Sequence, residues 1–318
     1  MTSSDTHLSR GLVIGCGGTL GAAWTVAALV AVRDVFGWDP RDADVLMGTS
    51  AGAELVTMLG SGIGVDEILA MQLGESTHPA LADHLAAAPG RLPPLPRLRF
   101  GSPGLIRRGP STITALSGLL PQGGGDPGWL DRLATRLAAD DGWVSHPDTR
   151  LVAMDYDTGE RVAFGSPGAP EATLSQALRA SWAIPGWMPP VQVGTRRFVD
   201  GGAASTASVD LLARCGLDEV IVLAPMASRG RTKARGAAVF ERLALRNWMS
   251  AGLDAEVARL EASGTRVVRL DATADDLAVM GPNFMDDRRR LATLEHSLRS
   301  TRTAAQQAAI TRSTGARA

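Results

Sequence analysis

The sequence predicts an α/β fold with a mainly parallel central sheet, because two strand–turn–helix units follow one another near its beginning. In the first unit, the apolar run GLVIG at residues 11–15 predicts a buried strand, and the alanine-rich residues 21–35 have helical spacing. In the second unit, residues 44–48 predict a strand and residues 51–59 a helix. Repeated β–turn–α order is typical of sheets whose strands run parallel.

The middle of the chain predicts an insertion into this fold. Residues 74–148 contain the runs PGRLPPLPRLRFGSPG and PQGGGDPG, and such stretches usually form insertions or lids over a core. Further strands are predicted at residues 151–154, 161–164, 197–199, 219–223 and 266–270. Further helices are predicted at residues 127–138, 173–180, 240–263 and 286–311. We therefore expect a polar leader at residues 1–10, one domain at residues 11–285 that contains the insertion, and a charged C-terminal helix and tail at residues 286–318.

The composition is that of a globular protein without a strong charge preference. Hydrophobic residues make up 45% of the 318 residues and charged residues 20%, and the formal net charge is −1. No overall basic field exists to attract nucleic acid, so we expect no nucleic-acid partner. The composition leaves the oligomeric state open.

The N-terminal residues and the cysteines bear on location. The opening MTSSDTHLSR is polar and lacks the apolar core of a secretory signal, and the longest apolar stretch, residues 21–32, is too short to span a bilayer. Cys16 and Cys215 form no CxxC or zinc pattern; a disulfide between them stays open, but a reduced compartment is favoured. We therefore expect a cytoplasmic protein, peripheral at the inner membrane face if it contacts a membrane, with no metal and no cofactor.

The sequence GTSAG at residues 48–52 matches the GxSxG pattern of a nucleophilic serine. In that pattern the serine occupies a tight strand-to-helix turn, and larger residues at either glycine position would collide with neighbouring backbone. The hydroxyl then projects above a helix N-terminus, whose dipole favours developing negative charge. In a chain this rich in glycine, the number of matches expected by chance is roughly 0.25. The predicted strand before Ser50 and the predicted helix after it favour the nucleophile over a plain turn.

A second glycine-rich turn, GCGGTLG at residues 15–21, lies between the first predicted strand and helix. Consecutive backbone N–H groups in such a turn bind either a phosphate or an oxyanion. A dinucleotide site expects an acidic residue at the end of the next strand, whereas Asp44 precedes that strand. A short-chain dehydrogenase needs a YxxxK pair, and the only tyrosine and lysine are Tyr156 and Lys233. An oxyanion hole is therefore favoured over a nucleotide site, because the turn lies one βα unit from Ser50.

Two residues are candidates for the general base that activates Ser50. His296 would complete a Ser-Asp-His order, but it falls in a charged helical pattern where a histidine is normally solvated. Asp200, which precedes Gly201 and Gly202, is compatible with a base or with a simple turn. An aspartate with its ordinary pKa of about 3.9 is a weak base. We therefore expect the oxyanion hole, where one donor contributes ~3 kcal/mol, to supply much of the rate.

Four motifs in order resemble those of the patatin-like phospholipase family: GCGGTLG, GTSAG, ASWAIP at residues 180–185 and DGG at residues 200–202. The resemblance spans about residues 11–202, with a looser fit of the final strands. It implies a three-layer α/β/α fold and release of fatty acid from lipid esters through an acyl-enzyme.

The resemblance also implies roles for residues at the matching positions. Ser50 would be the nucleophile and Asp200 the general base of a dyad. The N–H groups of Gly17 and Gly18 would form the oxyanion hole. The family's loop usually carries Arg or Lys just before its last glycine, where this chain has Leu20. This departure gives a neutral ester or thioester more weight than family membership alone does.

Apolar and basic side chains near these motifs are candidates for substrate contact. Trp182 and Trp187 are the candidate substrate-binding residues, and with Ile184 and Met188 they are compatible with an acyl pocket or with a plain core. Four arginines of the insertion are compatible with lipid-headgroup contact or with a solvated loop: Arg97, Arg99, Arg107 and Arg108.

We therefore predict a serine acyl hydrolase of the lipase or phospholipase type, with an acyl lipid as its substrate. Two alternatives stay open. One is an acyltransferase that uses the same serine turn, and the other is a non-catalytic lipid-binding or regulatory protein of the same fold.

Overall fold

The centre of the protein is an eight-stranded, mainly parallel sheet, which confirms the predicted fold class. The computed structural model describes residues 8–96, 99–228 and 245–315. Most of the predicted leader, Arg97, Lys233 and the beginning of the helix predicted at residues 240–263 lie outside the described residues.

The strands of the sheet are β1 (Arg10–Ile14), β2 (Val45–Thr49), β3 (Thr149–Asp155), β4 (Arg161–Phe164), β5 (Val191–Val193), β6 (Arg196–Asp200), β7 (Glu219–Ala224) and β8 (Arg266–Asp271). Their order is β5–β6–β3–β2–β1–β7–β8, and β4 also pairs with β3. The pairs β3–β2, β2–β1, β1–β7 and β7–β8 are parallel. The pairs that involve β4, β5 and β6 are antiparallel. The two predicted N-terminal strands are therefore parallel neighbours.

The α-helices of the described residues are α1 (Gly18–Phe36), α2 (Ala51–Gly60), α3 (Val65–Leu73), α4 (Pro79–Ala86), α5 (Pro103–Arg108), α6 (Thr112–Ser117), α7 (Gly128–Leu137), α8 (Leu174–Ser181), α9 (Asn247–Ala262), α10 (Ala274–Met280) and α11 (Arg290–Gly315). The segment predicted as an insertion holds α4 to α7, and α11 corresponds to the predicted C-terminal helix.

Helices cover both faces of the sheet, so the fold has three layers. Alternate residues of β1 enter different cores: Leu12 and Ile14 lie in the larger core and Val13 in the smaller one. Helices α1, α2 and α8 cover the larger core, and α9 covers the smaller core with the short 3₁₀ helix Val209–Leu212. Burial on both faces explains why the central strands are continuous apolar runs.

Helix α1 packs along α11 in the larger core. It is long and apolar enough to cross a bilayer by length and composition alone, but 67% of its most apolar window is buried inside the protein. The helix extends beyond the predicted residues 21–35 at both ends, and so it is longer than the apolar stretch at residues 21–32. A helix that neighbours cover on most sides is apolar all round.

Strand β3 brings two distant strand ends to one point. β2 runs parallel to β3 and ends at Thr49, which pairs with Val152. β6 runs antiparallel to β3 and ends at Asp200, which pairs with the next residue, Ala153. Both strands lie on the same side of β3, because β4 pairs with these residues from the other side. The ends of β2 and β6 therefore meet at adjacent positions.

Hydrogen bonds attach the insertion to this end of the sheet. The Ser102 hydroxyl, which caps α5, donates to the Asp157 carboxylate just beyond β3 at 2.8 Å. The Thr114 hydroxyl on α6 donates to the Ala203 carbonyl at 3.0 Å. These contacts hold α6 beside the residues that follow β6.

Candidate active site

Ser50 occupies a strained position between β2 and α2. Its φ is 58° and its ψ is −122°, in a region that residues with a side chain rarely adopt. Such a conformation costs on the order of 1–3 kcal/mol and persists only where the surrounding structure imposes it. The turn makes Ser50 the N-cap of α2, at the positive end of the helix dipole.

The two glycines of GTSAG allow backbone segments to approach closely at this turn. A Cβ at Gly48 would lie 2.3 Å from the Gly52 carbonyl oxygen, and a Cβ at Gly52 would lie 2.3 Å from the Ile14 carbonyl oxygen. These distances exclude any side chain at either position. The start of α2 therefore packs directly against the end of β1.

The ASWAIP segment holds both residues of the predicted dyad. The Ser181 hydroxyl accepts the Ser50 N–H at 2.8 Å and donates to the Val152 carbonyl at 2.6 Å. The Ala183 carbonyl accepts the Asp200 N–H at 3.0 Å. No role for Ser181 follows from the sequence, where its place in the motif is the only signal. The buried Ser181 hydroxyl ties the Ser50 turn to β3.

The Asp200 carboxyl is buried next to Ser50. One of its oxygens accepts the Gly202 N–H at 2.7 Å. Burial raises the pKa of Asp200 to about 7, against the lowering effect of hydrogen bonds from the Ser50 side chain and the Gly202 N–H. The expectation of an ordinary, weakly basic aspartate was therefore wrong, because the sequence does not show burial. A carboxylate with a pKa near neutral pH is well matched to accept a proton.

Gly17 and Gly18 present backbone donors at the N-terminus of α1. Gly18 has a φ of +56°, and a Cβ there would lie 2.6 Å from the Phe284 ring and from the Met285 sulfur. Within the described parts of the chain, the N–H groups of Gly17 and Gly18 donate to no protein acceptor. Free donors at a helix N-terminus are an arrangement that binds an oxyanion.

Ser50, Asp200, Gly17 and Gly18 line one cavity of about 250 Å³. This dyad cavity has a largely apolar wall from distant parts of the chain, including Ile113, Leu120, Ile184, Met226, Trp248 and Phe284. Asp200 is the one charged side chain in its described lining. The structure therefore brings these four predicted site residues to one apolar cavity.

The thiol of Cys16 also lines the dyad cavity and adds no charge to it. Burial, and to a lesser degree the Asp200 charge, raises the pKa of Cys16 to about 12, so this thiol stays protonated at neutral pH. Cys16 and Cys215 are both free, so they form no disulfide. Among the described residues, no group of three or more His, Cys, Asp or Glu side chains is arranged to hold a metal ion.

The two candidate tryptophans lie outside the lining of the dyad cavity. Trp182 lines a smaller neighbouring cavity, and Trp187 lines a third one with Met188. Of the apolar residues considered near the motif, Ile184 alone lines the dyad cavity. His296 lies with Nε2 3.4 Å from Asp276 Oδ1 on α10, and it does not line the dyad cavity.

A family model described as patatin-like phospholipase matches residues 12–213. The matched region is more than half of the chain and contains all four ordered motifs. The chain belongs to the patatin-like phospholipase family. This membership indicates a lipid acyl hydrolase.

Other comparisons add little to this family assignment. The crystal structure of VipD from Legionella pneumophila is 15% identical, with a TM-score of 0.39, and the similarity covers 91% of this chain and 67% of that chain. The likeness is too distant to carry an argument about shape or chemistry. Comparison with curated protein sequences finds no match.

The burial of Asp200 predicts a pH-dependent cost to stability. Below about pH 4 the carboxyl is protonated in both states, whereas between pH 4 and 7 only the unfolded state ionises, so folding stability falls as pH rises. A shift of about three pKa units corresponds to about 4 kcal/mol above pH 7. Asp200→Asn keeps an oxygen for the Gly202 N–H and removes the charge. We expect the free energy of unfolding of this variant, measured in urea, to rise relative to that of the wild type by up to this amount from pH 4 to pH 8.

The matched control is Asp140→Asn, at an exposed position. The difference between its free energy of unfolding and that of the wild type should be the same at pH 4 and at pH 8. A difference for Asp200→Asn that is equally independent of pH would contradict a buried carboxyl with a raised pKa.

Proposed function

We propose that the protein is a serine acyl hydrolase that cleaves fatty-acyl esters of lipids with a Ser50–Asp200 dyad. The observation that carries the proposal is the convergence of β2 and β6 on β3, which brings Ser50 and Asp200 to one apolar cavity. The free N–H groups of Gly17 and Gly18 at the same cavity support it.

In the proposed reaction, the Asp200 carboxylate takes the hydroxyl proton as Ser50 Oγ attacks the ester carbonyl carbon. The negative charge that develops on the carbonyl oxygen is stabilised by the N–H groups of Gly17 and Gly18. Collapse of this intermediate breaks the bond to the alcohol, which leaves with the proton from Asp200. A water molecule then attacks the acyl-enzyme and gives its proton to Asp200, and Ser50 recovers a proton as the fatty acid is released.

The dyad cavity favours an ester whose reacting region is uncharged. Its described lining has no cation, and Leu20, at the position where the family usually has Arg or Lys, is fully buried in the larger core. Among the described lining residues a phosphate close to the scissile ester would find no cation, although the charge of the buried Arg246 acts on Cys16 of this lining. Neutral acyl glycerols and simple acyl esters therefore fit the site better than phospholipids do.

Hydrolysis of p-nitrophenyl octanoate tests the dyad directly. We expect Ser50→Ala to lower kcat/KM by a factor of about a thousand or more, because nucleophile and base act as a unit. For the wild type, kcat/KM should rise with pH through about 7, because Asp200 accepts a proton only after it ionises. The measurement is a steady-state rate profile between pH 5 and 9.

The control variant is Ser263→Ala, at the exposed C-cap position of α9, where the hydroxyl donates only to the Leu260 carbonyl among the described residues. Its rates should match those of the wild type. Full activity in Ser50→Ala, or a wild-type profile that is flat across neutral pH, would rule out the proposed dyad.

We also propose that the insertion contacts a lipid surface, and that the protein is cytoplasmic and peripheral at the inner face of the membrane. Seven of the eleven exposed large apolar side chains among the described residues lie in the insertion: Leu92, Leu95, Phe100, Ile106, Leu116, Leu119 and Leu120. Exposed Arg99, Arg107 and Arg108 lie among them and can contact acidic headgroups. Leu120 also lines the dyad cavity, so the apolar surface continues into the proposed site.

Vesicle sedimentation tests this lipid contact. Leu95 and Phe100 are 91% and 95% exposed, so their replacement should not disturb folding. Each gains roughly 2 kcal/mol on burial in lipid, so Leu95→Ser with Phe100→Ser should lower the partition coefficient more than tenfold. The control is Ile310→Ser, another exposed apolar side chain at the far end of α11. The vesicles contain phosphatidylcholine and phosphatidylglycerol. If the double variant and the Ile310→Ser control partition equally onto them, the insertion does not contact the lipid surface.

A further inference from the structure

A buried arginine lies beside the loop that carries the proposed oxyanion donors. Arg246 immediately precedes α9 and is only 2% exposed. It does not itself line the dyad cavity, although its neighbours Leu245, Trp248 and Met249 do. A guanidinium is kept in a buried place only where hydrogen bonds compensate for the loss of its hydration. Two described partners of its side chain lie in the β7 turn, residues 225–228, which follows strand β7.

Two sets of hydrogen bonds join α9 to the β7 turn. Arg246 Nη1 donates to the Pro225 carbonyl at 2.7 Å, and Nη2 donates to the Met226 sulfur at 3.5 Å. In addition, the Ser250 hydroxyl donates to the Arg246 carbonyl at 2.8 Å and accepts the Ser228 N–H at 3.0 Å. The beginning of α9 therefore holds both ends of the β7 turn.

The β7 turn packs directly on the donor loop, residues 15–18. A Cβ at Gly17 would lie 2.8 Å from Pro225 Cγ, and a Cβ at Gly21 would lie 3.2 Å from the same atom. The proline ring therefore contacts the backbone at Gly17 and in the first turn of α1. A side chain at Gly17 would push the ring away, so this close approach depends on glycine.

The Pro225 contact lies where the hydrogen bonds of the donor loop end. The Gly15 N–H donates to the Leu223 carbonyl at 2.9 Å, and the Cys16 N–H donates to the Thr206 carbonyl at 2.8 Å. Gly17 is the first residue of the loop whose N–H has no acceptor among the described residues. Because no hydrogen bond of its own directs this donor, packing against Pro225 restrains it.

The charge of Arg246 also acts on the donor loop. Burial raises the pKa of Cys16 to about 12, and the Arg246 charge acts against this rise. The guanidinium is therefore close enough to influence a charge at Cys16, the residue before Gly17. A positive charge at this range also favours the negative oxygen that the donors would stabilise.

We propose that Arg246 is a positioning residue, which holds Pro225 against Gly17 and so keeps the N–H groups of Gly17 and Gly18 directed at the negative oxygen. The inference rests on the proposed hydrolysis at Ser50. Arg246 acts through the β7 turn and does not line the cavity, so its loss should slow the reaction without weakening the binding of an uncharged ester.

Steady-state hydrolysis of p-nitrophenyl octanoate tests this role. We expect Arg246→Met to lower kcat roughly 10- to 100-fold, because a small displacement of a donor is enough for such a loss. KM should change by less than about twofold. Arg246→Lys keeps a charge and a donor for the Pro225 carbonyl, so it should recover part of the lost rate. The matched control is Arg150→Met, which removes another buried guanidinium, at the beginning of β3 and outside the dyad cavity, and should keep the wild-type kcat.

A second variant tests the route through the β7 turn. Pro225→Ala removes the ring from Gly17 and leaves the buried charge in place. If Arg246 acts through Pro225, this variant loses a similar factor in kcat, and the addition of Arg246→Met lowers kcat little further. Wild-type kcat in Pro225→Ala would contradict the proposed route.

Inhibition by octyl trifluoromethyl ketone separates positioning from a loss of folded protein. The ketone adds to a nucleophilic serine and places a negative oxygen at the donors, so its inhibition constant should rise in Arg246→Met by about the factor by which kcat falls. Partial unfolding lowers the apparent kcat but leaves the inhibition constant of the folded fraction unchanged. An inhibition constant equal to that of the wild type, or equal losses of kcat in Arg246→Met and Arg150→Met, overturns the inference. Activity that does not depend on Ser50 would instead overturn the proposed function on which the inference rests.

Discussion

The hydrogen-bond register of β3 is the constraint on which the candidate site depends. Thr49 and Asp200 end strands that run in opposite directions, and they face adjacent residues of β3 because parallel and antiparallel pairing occur on the same side of that strand. A shift of one residue in either pairing would turn the affected side chains to the other face of the sheet. The ASWAIP segment reinforces the register, since Ser181 bonds to the Ser50 turn and to β3 while the carbonyl of Ala183 receives the Asp200 N–H.

The same arrangement carries costs that the rest of the fold must offset. Ser50 keeps a strained backbone, and Asp200 is held where its ionised form is poorly solvated. Both features oppose stability and both suit proton transfer from a hydroxyl to a carboxylate at neutral pH. The rigid, doubly covered sheet provides the packing that holds them, which is why strained and desolvated groups concentrate at one edge of an otherwise regular core.

Much of the fold and part of the site could be predicted from the sequence because they depend on local patterns. GTSAG and GCGGTLG predict tight turns from glycine placement alone, and the order of four motifs indicates the family that the match to residues 12–213 then shows. The pKa of Asp200 could not be predicted, because it is raised by burial, and the cavity that this carboxyl lines is formed in part by residues far from it along the chain, such as Phe284.

The direction of individual side chains was also beyond the sequence. Trp182 and Ile184 are two residues apart, yet Trp182 lines the smaller neighbouring cavity and Ile184 lines the dyad cavity. Their segment turns after α8, and the Trp182 ring packs against Trp129 of the insertion. Sequence proximity to the motif therefore placed Trp182 near the dyad but could not assign it to the correct cavity.

Labelling with a fluorophosphonate, with the adduct located by mass spectrometry, tests the central claim most directly. The reagent reacts only with an activated hydroxyl, so it reports whether Ser50 and Asp200 act together. The account predicts one adduct, on Ser50, and a labelling rate in Asp200→Asn that is lower by a factor of about a hundred or more. An adduct on another residue, or an unchanged rate in Asp200→Asn, would show that the meeting of these two strand ends does not create the nucleophile.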